Sequence, residues 1–200
     1  MGDVLRCQRP GLQRDHQAAH RPATFGIPQC HDAAEHPCVR AILDGASIPG
    51  LVQTLHRCDP VRECLYRGEL QLDIAEVAPY VVQLEPRTEF TDLVLNQGWG
   101  NHWGIFALAA ADLFGMRQHL RRFLTVHDST GKPLLFRYYD PRVMSIYLPT
   151  CNADEVKAIF GPISKYFMES SAPDVALSFQ HKEGSLVQKK VPLTEVQGRK

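Results

Sequence analysis

The segment LLFRYYDPRV, residues 134–143, joins a short apolar run to a group of charges that follows it closely. Arg137, Asp140 and Arg142 fall within six positions, with Pro141 among them. A lone charge costs several kcal/mol when it is buried, so charges beside a core strand usually pair with each other. The segment therefore predicts the end of a buried strand that is anchored by an Arg–Asp pair, with Arg137 and Asp140 holding the turn.

The composition is that of an ordinary folded domain. The chain has 200 residues, 44% of them hydrophobic and 22% charged, and its formal net charge is zero. A chain of this length suits one domain with a real core, and its neutrality gives no global basic field that would favour nucleic acid. No apolar run reaches the roughly 18 residues that a membrane span needs. We therefore expect neither nucleic-acid binding nor a membrane span.

Six cysteines raise the question of disulfide bonds. The N-terminus MGDVLRCQRPGLQRDHQ has no apolar stretch of the kind that a secretory signal requires, so we expect a cytoplasmic protein with reduced thiols. Residues 1–32 carry spaced arginines and prolines and few apolar positions, which predicts a flexible extension or sequence translated upstream of the true start. The folded domain is expected to span residues 33–193, and residues 194–200 are expected to form a solvated tail.

Strand and helix patterns alternate irregularly along the rest of the chain. Short apolar runs bounded by turn residues predict strands at 38–43, 64–66, 80–84, 105–110, 133–138, 175–180 and 185–191. Residues 123–127 and 133–138 flank turn residues at 129–132, which predicts a hairpin. Helical spacing of apolar residues predicts helices at 49–57, 72–77, 88–97, 113–124, 141–148 and 153–160. Asp112 and Asn152 are predicted N-caps, and Gly98 is the predicted C′ residue of the third helix. The order predicts a single α/β domain of the mixed α+β type, with a mixed, largely antiparallel sheet flanked by helices.

Recognised catalytic and metal-binding motifs do not stand out. The sequence has no G-x-S-x-G elbow, no Walker loop and no HExxH helix. Gly98 and Gly100 lack the third glycine of a phosphate loop, because Trp103 occupies that position. Zinc-type ligands cluster at four positions, Cys30, His31, His36 and Cys38. Their spacing matches no zinc template, so an incidental cluster is the favoured interpretation.

Two further groups of residues are candidates for binding. Arginines from two segments could converge on one face to hold an anion or an acidic partner, namely Arg117, Arg121, Arg122, Arg137 and Arg142. The favoured alternative is a solvated helix face plus one structural pair with Asp140. Trp99 and Trp103 lie in GWGNHWG, where three glycines allow unusual backbone geometry. We expect both indoles in the core at a helix-to-strand junction, and a peptide-binding groove is the alternative.

An ordered set of motifs resembles the bacterial family of type VI secretion effector adaptor chaperones, which was first described as a domain of unknown function. The motifs are ILDGA (42–46), LYRGE (65–69), VAPYVVQL (77–84), GWGNHWGI (98–105), MRQHLRRFL (116–124) and LFRYYDPRV (135–143). The R-x-x-D-P-R core, with Arg137, Asp140, Pro141 and Arg142, is the most specific of them. The resemblance runs from about residue 38 to about residue 168 and is of the N-terminal-lobe type.

The resemblance implies a non-enzymatic protein without a cofactor. Members of the family bind a toxic effector in the cytoplasm and help load it onto the spike, meaning the VgrG tip protein or its PAAR-type cap. Many carry a further C-terminal lobe, so we expect this shorter chain to lack some of their contacts. A structural or partner-binding role is implied for Trp99, Trp103, His119, Arg121, Arg137, Asp140, Pro141 and Arg142. Two other functions stay open: an immunity-type protein that neutralises a toxin, and a small enzyme that acts on an anionic substrate through the arginines and His119.

Overall fold

A seven-stranded sheet organises residues 38–193, which are the part of the chain that the computed structural model describes. The predicted extension (1–32), the predicted tail (194–200) and three of the four zinc-type ligands, Cys30, His31 and His36, lie outside these residues. Within residues 38–193, no group of three or more histidine, cysteine, aspartate or glutamate side chains is placed to hold a metal ion. None of the helices in the same range is long and apolar enough to cross a bilayer.

Helices and strands follow one another without strict alternation. In chain order they are β1 (Cys38–Asp44), a 3-10 turn (Gly45–Ser47), α1 (Leu51–Cys58), β2 (Arg62–Cys64), α2 (Leu72–Val77), β3 (Pro79–Gln83), α3 (Glu89–Gln97), β4 (Gly104–Ala109), α4 (Leu113–Arg121), β5 (Thr125–His127), β6 (Pro133–Leu135), α5 (Pro141–Tyr147), a second 3-10 turn (Leu148–Thr150), α6 (Ala153–Phe160), β7 (Ile163–Glu169), β8 (Val175–Lys182) and β9 (Ser185–Pro192). Every predicted helix and strand has a counterpart here, and β7 is an additional strand that the sequence patterns did not predict.

The sheet has the strand order β2-β3-β1-β4-β7-β8-β9, and every neighbouring pair in it is antiparallel. Strands β5 and β6 form a separate two-stranded hairpin. The predicted fold class, a single α+β domain with a largely antiparallel sheet flanked by helices, is confirmed.

Helices cover both faces of the sheet. Successive side chains on a strand point to opposite faces, so Ile42 and Ile105 belong to one buried cluster while Leu43 and Phe106 belong to the other. Helices α4, α5 and α6 pack over the first cluster, and α1 and α3 pack over the second. Burying apolar surface on both sides contributes about 25 cal/mol for each Å² removed from water, which fixes the sheet as the central layer.

The helix termini follow the predicted caps, with one exception. Asp112 accepts a hydrogen bond from the Gly115 amide at 2.7 Å, and Asn152 begins a complete capping box at the start of α6. Gly98 was predicted as the C′ residue of α3, and it instead occupies the C-cap with a right-handed φ of −80°. A Cβ at Gly98 would lie 2.4 Å from the carbonyl oxygen of Val94 and 3.0 Å from the Trp103 ring. This glycine is needed for space rather than for backbone freedom.

The strand predicted at 133–138 is shorter and more exposed than expected. Strand β6 ends at Leu135, and the side chains of Leu134 and Leu135 are 45% and 56% exposed. Burial begins after the strand, where Tyr138 and Tyr139 enter the core. The apolar run therefore predicted a strand correctly but not its burial, because β6 belongs to the small hairpin and not to the main sheet.

Candidate functional site

The antiparallel pairing brings several charged residues to one end of the sheet. Leu43 lies opposite Gly104, and Phe106 lies opposite Phe167, so the end of β1, the start of β4 and the end of β7 are neighbours. Buried carboxylates stand at the ends of β1 and β7, and the GWGNHWG loop leads into β4 between them. The motifs that are far apart in sequence therefore meet at this end.

Asp44 connects three of these segments. Its side chain is 1% exposed and accepts hydrogen bonds from the Ser47 hydroxyl at 2.8 Å and the Ala46 amide at 3.2 Å. The guanidinium of Arg137 also donates to this carboxylate. In addition, the Asp44 amide donates to the carbonyl oxygen of Trp103 at 2.8 Å. Asp44 thus ties the end of β1 to both the R-x-x-D-P-R segment and the GWGNHWG loop.

Asp140 is bound by the side chain of Arg142, so the segment contains the predicted Arg–Asp pair, and the side chain of Arg137 binds Asp44 instead. Arg142 donates to Asp140 from its backbone amide at 2.9 Å, from Nε at 3.0 Å and from Nη2 at 2.7 Å. Burial acts to raise the pKa of Asp140, but these hydrogen bonds from Arg142 outweigh it, and the pKa lies below its usual value. Asp140 is also the N-cap of α5, and Pro141 occupies the first turn of that helix. Arg137 contributes only its carbonyl to the turn, which accepts from the Asp140 amide at 3.0 Å.

Glu169 fixes the GWGNHWG loop from the end of β7. Its side chain is 7% exposed, and one oxygen accepts a hydrogen bond from the Gly100 amide at 2.5 Å. The other oxygen contacts Nδ1 of His102. Gly100 has a φ of +82°, and His102 also lies in the left-handed region, with φ +58°. The sequence patterns did not single out Glu169, although a carboxylate at the end of an apolar strand is the signal that could have done so.

Both tryptophans lie between α3 and β4 and pack against the second buried cluster. Trp99 is partly exposed, stacks on Phe106 with ring centroids 6.2 Å apart, and donates from its indole N–H to the carbonyl oxygen of Pro173 at 3.1 Å. Trp103 lies against Gly98. The indoles therefore support the loop, and Trp99 also connects it to the segment that joins β7 to β8.

Beside these supports lies an open groove of about 560 Å³ between α5 and the strands β8 and β9. We call it the α5–β8 groove. Pro141, Arg142 and Ile146 of α5 line one side, while Leu177 of β8 and Lys190 of β9 line the other, and the segment after Glu169 closes one end. The most specific family motif therefore contributes directly to the wall of a cavity.

The remaining sequence-predicted residues lie elsewhere. His119 is 7% exposed, its Nε2–H donates to the carbonyl oxygen of Ile159 at 2.8 Å, and burial holds its pKa below the usual value. Arg121 donates to the carbonyl oxygens of Leu65 at 2.9 Å and Cys64 at 3.2 Å, so it braces the LYRGE segment. These two side chains have structural partners and do not reach the α5–β8 groove.

The five candidate arginines do not converge on one face. Arg117 pairs with Glu63 at 2.7 Å, and Arg122 stacks over Phe123. Arg121, Arg137 and Arg142 each bind the separate partners described above. The hypothesis of a shared anion site is therefore wrong. The favoured interpretation, a solvated helix face plus one pair with Asp140, was also incomplete, because three of the arginines are partly buried.

The depressed pKa of His119 predicts a loss of stability in mild acid. The unfolded chain takes up a proton at this residue as the pH falls below about 6.5, whereas the folded protein resists protonation there, so the free energy of unfolding falls as the pH drops below this value. One such group contributes a slope of at most about 1.4 kcal/mol per pH unit. Urea unfolding at pH 7.5 and 5.5 should show a smaller difference in His119→Gln than in the parent. The exposed His127→Gln should keep the parental difference, and equal slopes in all three proteins would contradict the prediction.

Comparison with known proteins gives one match. A family model described as a domain of unknown function, DUF4123, matches residues 41–158, which is more than half of the chain. The matched range contains Asp44, the GWGNHWG loop and the whole R-x-x-D-P-R segment, and it ends before Glu169. No curated protein and no solved structure gives a significant match.

Proposed function

The chain belongs to the DUF4123 family, and we propose that it is a non-enzymatic cytoplasmic adaptor that binds a type VI secretion effector and helps load it onto a VgrG or PAAR-type spike protein. The observation that carries this proposal is the convergence of the adaptor-like motifs at one end of the sheet, next to the open α5–β8 groove. A groove of this kind, with apolar walls and a polar rim, suits reversible capture of a protein segment.

The chemistry of the converging residues supports binding over catalysis. The carboxylates of Asp44, Asp140 and Glu169 are buried, and each accepts hydrogen bonds from neighbouring backbone amides and side chains. Groups with these partners hold loops and helix ends in place. The enzymatic alternative depends on His119, whose buried ring is bound to the main-chain carbonyl of Ile159 and does not line the groove. An adaptor needs rigid supports of this type and no reactive group.

Co-expression tests the proposal directly. The effector encoded beside a spike gene in the same cluster should stay soluble and co-purify with this protein, and deleting the adaptor gene should abolish secretion of that effector. A tagged effector that is soluble and secreted without the protein would contradict the proposal. Survival of toxin-producing cells only when this protein is present, with secretion unaffected, would instead establish the immunity alternative.

A further inference from the structure

We propose that the α5–β8 groove binds an acidic segment of the client, in which an apolar side chain is flanked by aspartate or glutamate. This inference rests on the proposed function and names the chemistry of the partner at that site. It follows from the charges that remain accessible in the groove, from its apolar walls and from the rigidity of its supports.

The accessible charges of the groove are positive. Arg142 is 59% exposed on the α5 side, and Lys190 is exposed on β9 across the groove. The nearby carboxylates are withdrawn from solvent, since the side chain of Asp140 is 5% exposed and that of Glu169 is 7% exposed. A client segment meets positive charge first, and acidic residues complement it.

Arg142 still has donors to offer although it is paired. Asp140 occupies its Nε and Nη2 groups, and within residues 38–193 its Nη1 makes no hydrogen bond. A guanidinium carries five N–H donors in a planar fork, so a second carboxylate can bind along the other edge. The contact with Asp140 fixes the direction of the free edge of the Arg142 guanidinium before the client binds.

The groove also presents apolar surface for an anchor. Ile146 on α5 is 73% exposed, which is high for a large aliphatic side chain, and it faces the same cavity as Val175 and Leu177. A leucine-sized side chain that covers such a surface is stabilised there, because apolar surface on both partners is removed from water. An apolar residue between acidic ones therefore matches both features of the groove.

The walls are held rigidly before any partner arrives. Asp140 caps α5 and Pro141 sets its first turn, while Glu169 holds the loop that carries His102. A site that is ordered in advance loses less entropy on binding. The structural pairs of the family motif therefore serve the groove by fixing the cations and the apolar wall relative to each other.

Three blocked pentapeptides test the inference: a central leucine flanked on each side by two aspartates, the same peptide with asparagines, and the same peptide with lysines. NMR titration of ¹⁵N-labelled protein can follow the two indole N–H signals, because Trp99 binds the segment that borders the groove and Trp103 packs on Gly98 instead. The aspartate peptide should shift the Trp99 signal and bind at least about tenfold more tightly than the asparagine peptide, with an advantage that shrinks at high salt. Lys190→Gln and Ile146→Ser should each weaken the aspartate peptide several-fold.

Lys182→Gln is the matched control, since Lys182 is an exposed lysine at the opposite end of β8 from the groove. It should leave peptide binding unchanged. Equal binding of the three peptides, preference for the lysine peptide, no binding of any of them, or equal loss in the control and groove variants would each overturn the inference. If the groove variants capture the effector as well as the parent does, only this inference fails. If the parent captures no effector, the adaptor proposal fails even where peptide binding is seen.

Discussion

Replacing Asp44 with alanine is expected to lower the free energy of unfolding by about 3 kcal/mol. The carboxylate is 1% exposed and accepts hydrogen bonds from Ala46, Ser47 and Arg137. Its removal leaves these donors without their acceptor and loosens both the 3-10 turn after β1 and the R-x-x-D-P-R segment, while the backbone hydrogen bond from Asp44 to Trp103 stays. We place the value at the lower end of the range for a broken buried pair, because Arg137 is 40% exposed and can reach water. Thermal unfolding should show a midpoint lowered by roughly 6–12 °C.

Glu89→Ala is a matched control for this change. Glu89 also forms an ion pair with an arginine, Arg57, but their side chains are 65% and 56% exposed. Exposed pairs contribute little, so the midpoint should move by no more than about 2 °C. Adding Arg137→Ala to Asp44→Ala should cost little more than Asp44→Ala alone. Equal effects of the Asp44 and Glu89 variants would show that burial of the Asp44 pair is not what stabilises this end of the sheet.

Charge pairing within the 134–143 segment predicts the Asp140–Arg142 ion pair but not the Asp44–Arg137 ion pair. The Asp140–Arg142 contact joins residues two positions apart, and charge neutralisation within the segment predicts it well. Arg137 instead reaches a carboxylate 93 residues away. Only the pairing of β1 with β4 and the path of the 134–143 segment bring them together, and neither is encoded in the segment itself. The sequence could therefore predict that these charges pair but not which partners they choose.

The glycines of GWGNHWG show a similar limit. The motif predicted unusual backbone geometry, and Gly100, with φ +82°, adopts it. Gly104 instead lies so close to β1 that a Cβ would be 2.1 Å from the carbonyl oxygen of Ile42. Glycine provides either backbone freedom or space, and a single sequence does not distinguish between them.

Buried polar groups account for most of what the sequence patterns missed. Arg40 lies inside a strand that was predicted correctly, yet it is 0% exposed and donates to the carbonyl oxygen of Ala109 at 2.7 Å. Strand β7 escaped prediction because Lys165 and Glu169 interrupt its apolar positions. Whether a charged side chain such as Arg40, Lys165 or Glu169 fits in a strand depends on partners that other strands supply, because burying a charge without a partner is costly. Helices with strong caps, such as α6, depended on local signals and were predicted to within a residue.

Gly161→Ala is expected to be about as damaging as Asp44→Ala, with a loss of about 3 kcal/mol. Gly161 follows α6 with φ +46° and ψ −113°, a region that side-chain-bearing residues avoid. A Cβ there would also lie 2.3 Å from Cε1 of His119. The imidazole is buried and bound to Ile159, so it cannot move aside without breaking that hydrogen bond. Urea unfolding should therefore show a lowered midpoint with little change in its slope.

Gly131→Ala separates the two causes of this loss. Gly131 has φ +82° and nothing within 4 Å of the position of a Cβ, so alanine there should cost only about 1 kcal/mol of backbone strain. The loss of unfolding free energy in Gly161→Ala beyond that in Gly131→Ala then measures the steric collision with His119. Combining Gly161→Ala with His119→Ala should give a loss at least about 1 kcal/mol smaller than the sum of the single variants, because the side chain that collides is gone. Strict additivity would show that His119 yields freely and that backbone strain alone destabilises the variant.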